Sequence, residues 1–183
     1  MIDGTMQDYV LTLDKFLRHA ARWHPDAQVV SARADGGCDH IGYADLMARS
    51  MATSTVLARI GVERGHRVAT LAWNTQAHIE AWYAIMGMGA VCHTLNPRLT
   101  AEHLSTMLTQ SQARVLIVSA DLLPLAAEIV RATPAVERVL VVDGDGGAPA
   151  WQETVPAAAL EPLLAEAPTA VAWGDFDERS PSG

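Results

Sequence analysis

Asn96-Pro97-Arg98 combines an amide, a rigid turn and a cation, and it directly follows a short stretch, Val91 to Leu95, that reads as a strand. Open α/β sheets bind ligands in the crevice beyond the carboxyl ends of their strands. A loop in that place lets Arg98 meet a carboxylate or a phosphate of a ligand. The same residues also read as a plain turn fixed by Pro97, with Arg98 paired to an acid such as Glu102. The turn is the simpler reading. Asn96 and Arg98 stand as the candidate substrate-binding residues, and no residue stands out as catalytic.

Other chemistries lack the spacing they need. A dinucleotide fingerprint requires G-x-G-x-x-G after a strand and opening a helix, whereas Gly87-Met88-Gly89 ends a helical run and precedes a strand. Neither a Walker-type loop nor a G-x-S-x-G elbow is present. Cys92 and His93 are neighbours on a strand and point to opposite faces. His78 and Glu80 are two apart on a helix and do not face each other. No metal site is expected.

Composition narrows the class further. The 183 residues, half of them apolar, suffice for one domain with a sizeable core. A net charge of −8 with a single lysine, Lys15, argues against nucleic acid or an anionic membrane surface as partner. No apolar run reaches the length of a membrane span, and no signal-peptide pattern opens the chain. Cys38 and Cys92 form no C-x-x-C pair, which suits a reducing, cytoplasmic location.

The elements that would carry these residues follow from punctuation and period. Val68 to Trp73 is too short for a helix and reads as a strand. Asn74 then stands where a helix N-cap belongs, ahead of a run from 76 to 88 that is apolar on nearly every face. With Val91 to Leu95 this makes a βαβ unit. Upstream, Thr12 is expected to cap a helix carrying Leu13, Phe16, Leu17 and Ala20. Asp35-Gly36-Gly37 signals a hairpin, and a helix runs from Tyr43 to Ile60 with Gly61 as its stop. Downstream, Thr100 caps a helix, Arg114 to Ser119 is a strand, Asp121 to Ala132 a helix and Arg138 to Val142 a strand. Residues 148–183 hold five of the nine prolines and no strong strand. Ala157 to Ala167 reads as a surface helix. The expectation is an α/β fold, a doubly wound, mostly parallel sheet with flanking helices plus a short N-terminal hairpin. Its organisation reads as a leader over 1–10, an α/β subdomain over 11–147 and a connecting segment over 148–183.

Gly65-His66-Arg67-Val68, the Asn74-led helix, Gly89-Ala90-Val91 and Asn96-Pro97-Arg98-Leu99-Thr100 together resemble the N-terminal part of the AMP-forming acyl-CoA synthetases, the adenylate-forming family. That family shows G-D-R-V, an Asn-led helix closed by G-A-V, and N-P-R-L-T in this order. Gly42 stands where the family has Thr, Asp45 where it has Glu, and His66 where it has Asp. The first two changes weaken a reciprocal helix cap.

The resemblance implies an ATP-dependent ligase for medium- or long-chain fatty acids, which makes acyl-CoA, AMP and pyrophosphate with ATP, Mg²⁺ and CoA. The family's phosphate loop, close to T-S-G-T-T-G-x-P-K-G, follows a tail like Phe176-Asp177-Glu178. The chain therefore reads as an N-terminal fragment whose partner is the remainder of its own enzyme. By itself it is expected to bind none of these cofactors and to be inactive. A side left uncovered predicts self-association as a homo-oligomer. A stand-alone α/β interaction module without catalysis and an unrelated nucleotide-binding α/β protein are the alternatives.

Overall fold

In the computed structural model, which describes residues 9–33, 35–145, 150–167 and 171–182, α1 (Asp14–Trp23) leads into a hairpin of β1 (Gln28–Ala32) and β2 (Cys38–Gly42). The two strands pair antiparallel, from Gln28↔Gly42 to Ala32↔Cys38. Their turn places Gly36 at φ +84, and Asp35 Oδ1 accepts from the Gly37 amide at 2.9 Å. Most of the expected leader (residues 1–8) and the Gly146-Gly147 boundary lie outside the described residues.

Gly42 N-caps α2 (Tyr43–Arg59) and supplies no side-chain acceptor. The far end is better made. Gly61 adopts φ +87, and the amides of Gly61 and Val62 return to the carbonyls of Ala58 and Leu57, which satisfies the orphan acceptors of the last turn. His66, in the family's Asp position, uses Nδ1 to accept from the Glu63 amide at 3.1 Å.

The remaining elements are β3 (Arg67–Leu71), α3 (Gln76–Gly87), β4 (Val91–Thr94), α4 (Ala101–Ser111), β5 (Val115–Ser119), a 3-10 turn at Ala120–Leu122, α5 (Leu123–Arg131), β6 (Arg138–Val142), β7 (Ala157–Ala159) and α6 (Leu160–Ala165). The sheet runs β4-β3-β5-β6-β7, and every neighbouring pair is parallel. Strands buried on both faces need near-continuous apolar runs, and all of β5 is buried. Alternation then divides the side chains. Val68, Val115, Ile117 and Leu140 join α2, α3 and α6 on one face. Ala69, Leu71, Leu116, Val118 and Val139 join α4 and α5 on the other. The sheet is thus helix-covered on both faces. Because β3 sends its connection to β4 and β5 sends its own to β6, the topological switch falls between β3 and β5.

Three local readings need correction. The cap of α3 is Thr75, not Asn74: Thr75 is extended, and its hydroxyl accepts from the His78 amide at 3.4 Å. The helix starts at Gln76, so Asn74 is one residue too early for its side chain to reach the first free amides. Thr12 does not cap α1 by its side chain either; its hydroxyl donates to Asp14 Oδ1 at 2.6 Å. Ala157 to Ala159 is a strand, and α6 is not a surface helix, since Leu160 and Leu164 are buried. Three alanines carry no strand signature, so only pairing with β6 makes them one.

Residues 171–182 strap the body. Trp173 is buried against Gly87, where an added Cβ would lie 2.5 Å from the indole ring. Its Nε1–H donates to Ser54 Oγ at 2.8 Å, and Arg18 donates to its carbonyl at 3.2 Å. Further along, the Cys92 amide of β4 donates to the Ser182 carbonyl at 2.8 Å.

Candidate functional site

Two open grooves lie at the carboxyl ends of the strands. The first, about 880 Å³, runs between the hairpin, the start of α3, the ends of β6 and β7, and α6. Its cations are spent on protein carboxylates. Arg33 bonds Asp35 and Asp39 at 3.0–3.1 Å. Arg49 reaches from α2 to Glu80 at 2.6 Å and holds both oxygens of Glu161 at 2.7 and 2.9 Å. Glu80 is 1% exposed and takes a second bond from Gln76 Nε2 at 2.7 Å. The Glu161 hydrogen bonds push the Arg49 pKa up against the opposing effect of burial. This groove is a stapled seam between α2, α3 and α6.

The second groove, about 760 Å³, lies past the ends of β3 and β4. Ala72, Trp73 and Asn74 form one bank, His78, Ile79 and Trp82 of α3 another, and Leu95 to Arg98 the third. Asn96 and Arg98, the residues singled out by spacing, therefore come together here. Asn96 Oδ1 accepts from the Arg98 amide at 3.0 Å, and the Leu99 amide returns to the Asn96 carbonyl at 3.1 Å. The backbone is a side-chain-braced turn, as the simpler reading holds. Its ion pair with Glu102 is not formed: among the described residues the exposed Arg98 guanidinium has no partner. The turn aims a free cation at a groove flanked by two half-open indoles, Trp73 at 39% and Trp82 at 41% exposure.

A polar chain locks the bank that carries Trp73. The Trp73 amide donates to Ser119 Oγ at 3.3 Å, and its indole N–H donates to Asp121 at 2.8 Å. Ser119 and Thr75 both donate to Asp143 Oδ2, at 2.7 and 3.1 Å. Asp143 itself sits at φ +56, a conformation its short side chain tolerates. The Trp73 carbonyl lies 3.1 Å from His78 Nδ1, and His78 Nε2 lies 2.9 Å from Thr70 Oγ1. A carbonyl can only accept, so Nδ1 carries the proton and Nε2 accepts from the Thr70 hydroxyl. Burial holds His78 below its ordinary pKa, with the Trp73 carbonyl and the Asp143 charge pulling the other way. On the neighbouring strand, burial pushes the Cys92 thiol up to about 12, with the Thr70 hydroxyl opposing.

Spacing analysis missed the α3 bank. The available signal was the i, i+4 pair His78 and Trp82 on one helix face, with Trp73 just before the helix.

A sequence model for AMP-binding enzymes matches residues 17–175. The chain is 32% identical over 179 residues to the 3-methylmercaptopropionyl-CoA ligase of Ruegeria lacuscaerulensis, covering 98% of this chain and 33% of that protein. It is 31% identical over 180 residues to the medium-chain-fatty-acid–CoA ligase of Ectopseudomonas oleovorans, with the same shares, 98% and 33%. Among solved structures, the anthranilate CoA ligase AuaEII in complex with anthranoyl-AMP superposes with a TM-score of 0.79 over 95% of this chain and 31% of that one. At 17% identity this likeness speaks for the fold alone. The chain thus spans about a third of the length of these curated relatives, and it corresponds to an N-terminal part of them.

Proposed function

Because the chain belongs to the AMP-binding enzyme family, we propose that it forms the N-terminal part of an ATP-dependent fatty-acid–CoA ligase and takes no catalytic step by itself. One observation carries the reading: two CoA ligases align over 98% of the chain. The relatives act on different acids, so the fatty-acid class is taken from the medium-chain ligase and tested below. ATP and CoA are the co-substrates in this reading. Mg²⁺ accompanies the triphosphate; among the described residues no three His, Cys, Asp or Glu side chains converge to hold a metal. The leader at 1–10, the subdomain at 11–147 and the connecting segment at 148–183 belong to the same proposal, as does a cytoplasmic location.

Within it, Asn96 and Arg98 line the groove that receives an anionic portion of substrate. Asn96 holds the turn, and Arg98 offers the guanidinium to a carboxylate or phosphate. Adenylyl transfer needs preorganised donors and cations around the reacting phosphate, and losing one donor costs ~10²–10³ in rate. These residues contain no Gly-rich phosphate loop, and the one lysine, Lys15, lies on α1.

ATP–pyrophosphate exchange with short, medium and long acids tests the reading. It is run on the 183-residue chain and on a version extended through the downstream reading frame. No exchange by the former, and exchange by the latter that is fastest with a fatty acid, is expected. Comparable rates from both would overturn the division of labour, and a preference for a non-fatty acid would overturn the substrate class.

A further inference from the structure

His78 lines the second groove yet can offer a ligand no hydrogen bond, because both ring nitrogens are engaged by the protein. We propose that His78 is a positioning residue for this groove: by bonding the Trp73 carbonyl and the Thr70 hydroxyl together, it fixes the turn that presents Trp73 and Asn74 to the ligand. Trp73 is then held at three points: its amide by Ser119, its indole by Asp121 and its carbonyl by His78 together with the Thr75 amide at 2.8 Å. The first two anchors come from the far side of the switch point, on β5 and the turn after it. Among the described residues, His78 is the one side chain of α3, the helix that supplies the facing indole, Trp82, that bonds this bank; the Thr75 amide at the helix cap is a backbone tie beside it. The side-chain contribution of α3 to the gap between the two indoles therefore comes through this ring.

The arrangement requires a neutral imidazole. A proton added at Nε2 faces the Thr70 hydroxyl, which must then reverse from donor to acceptor. The charged groups around the ring are Asp143 from the end of β6, Asp121 from the turn after β5, and Arg98 across the groove. The Cys92 thiol on β4 shares the Thr70 hydroxyl. Burial favours the neutral ring. The unfolded histidine takes its proton at higher pH than the folded one, so the lock is complete above that range and lost as pH falls through it.

The positioning role rests on the proposed function only in its ligand arm. The first arm uses no ligand: NMR of the Trp73 indole N–H in the intact chain, assigned with Trp73→Phe. An asparagine amide overlays Nδ1 and keeps the donor to the Trp73 carbonyl, whereas glutamine reaches toward Thr70 instead. His78→Asn should leave the indole shift unchanged, while His78→Gln and His78→Ala should move it and speed its hydrogen exchange about tenfold, as expected for one lost hydrogen bond. The indole signal of the unaltered chain should follow the His78 titration, and that of His78→Asn should be flat with pH. An unchanged indole in His78→Ala, or matched behaviour of the Asn and Gln variants, would overturn the proposal. The second arm titrates coenzyme A, by tryptophan fluorescence, into the version extended through the downstream reading frame. Affinity should survive in His78→Asn and drop about tenfold in His78→Ala. Failure of the unaltered extended protein to bind coenzyme A at millimolar levels would count against the groove's substrate reading, and the indole arm would then decide the role of His78 by itself.

Discussion

The two grooves sit along one sheet edge and are similar in size, but their arginines are used in opposite ways. Along the first, Arg33 and Arg49 are both paired to carboxylates, and Arg49 bridges a buried and an exposed one. Along the second, Arg98 has no side-chain partner among the described residues and looks across at two indoles. Position at strand ends thus supplies a concavity in both cases. Whether the concavity can bind depends on what its own charges are already doing. In the first groove Arg49 holds helices together, while the second leaves its cation without a protein partner among the described residues.

Arg49→Ala tests the structural half of this contrast and should have the largest effect. It strands the buried Glu80 carboxylate with only Gln76, and removing one member of a buried pair costs ~3–5 kcal/mol. Urea unfolding should show it as a large fall in midpoint. A loss below 1 kcal/mol would mean that the seam carries no load. Arg98→Ala tests the other half. It should leave the midpoint unchanged and, in the version extended through the downstream reading frame, weaken coenzyme A by the ~1.5–3 kcal/mol of a charged hydrogen bond, whereas Arg33→Ala should not alter binding. Equal losses from the two variants would erase the distinction between the grooves.

A pH experiment probes β4, the strand that leads into the second groove. The Cys92 thiol is pushed up to about 12 from 9.0. The unfolded thiol ionises first, so stability present below pH 9 is lost as pH rises toward 12. The unaltered chain should lose stability over that interval relative to Cys92→Ala, and exposed Cys38 should react with a thiol reagent well before Cys92. The smallest effects separate two neighbours. Thr75, on the first groove, caps α3, and Thr75→Ala should cost about 1 kcal/mol. Asn74, on the second, caps nothing, so Asn74→Ala should leave the unfolding midpoint in place.

That last pair also marks the limit of what sequence pattern conveys. β3 through β6 and α2 to α4 are legible because each is set locally, by an apolar run, a period or a glycine. The Asn74-for-Thr75 error is a slip of one residue between two competent caps, decided by where the helix starts. β7 is illegible because its three alanines become a strand only through pairing with β6. At the site, Asn96 and Arg98 stand out because a turn after a strand is a local signal. Their setting does not: it takes α3 to bring His78 and Trp82 opposite them. The role of Trp173 is illegible for the same reason, since its socket at Gly87 lies 86 positions away in the chain.

That socket also sets an order of events. The bonds that seat the strap join residues 119, 155 and 167 positions apart, whereas the βαβ core closes over short loops. Contacts across such long separations form late, because their closing entropy must be met before they contribute anything. During synthesis, β3, α3 and β4 emerge and pair well before Trp173 leaves the ribosome. The notch at Gly87 stands open for that interval, and the strap seats only after the helix that carries the notch.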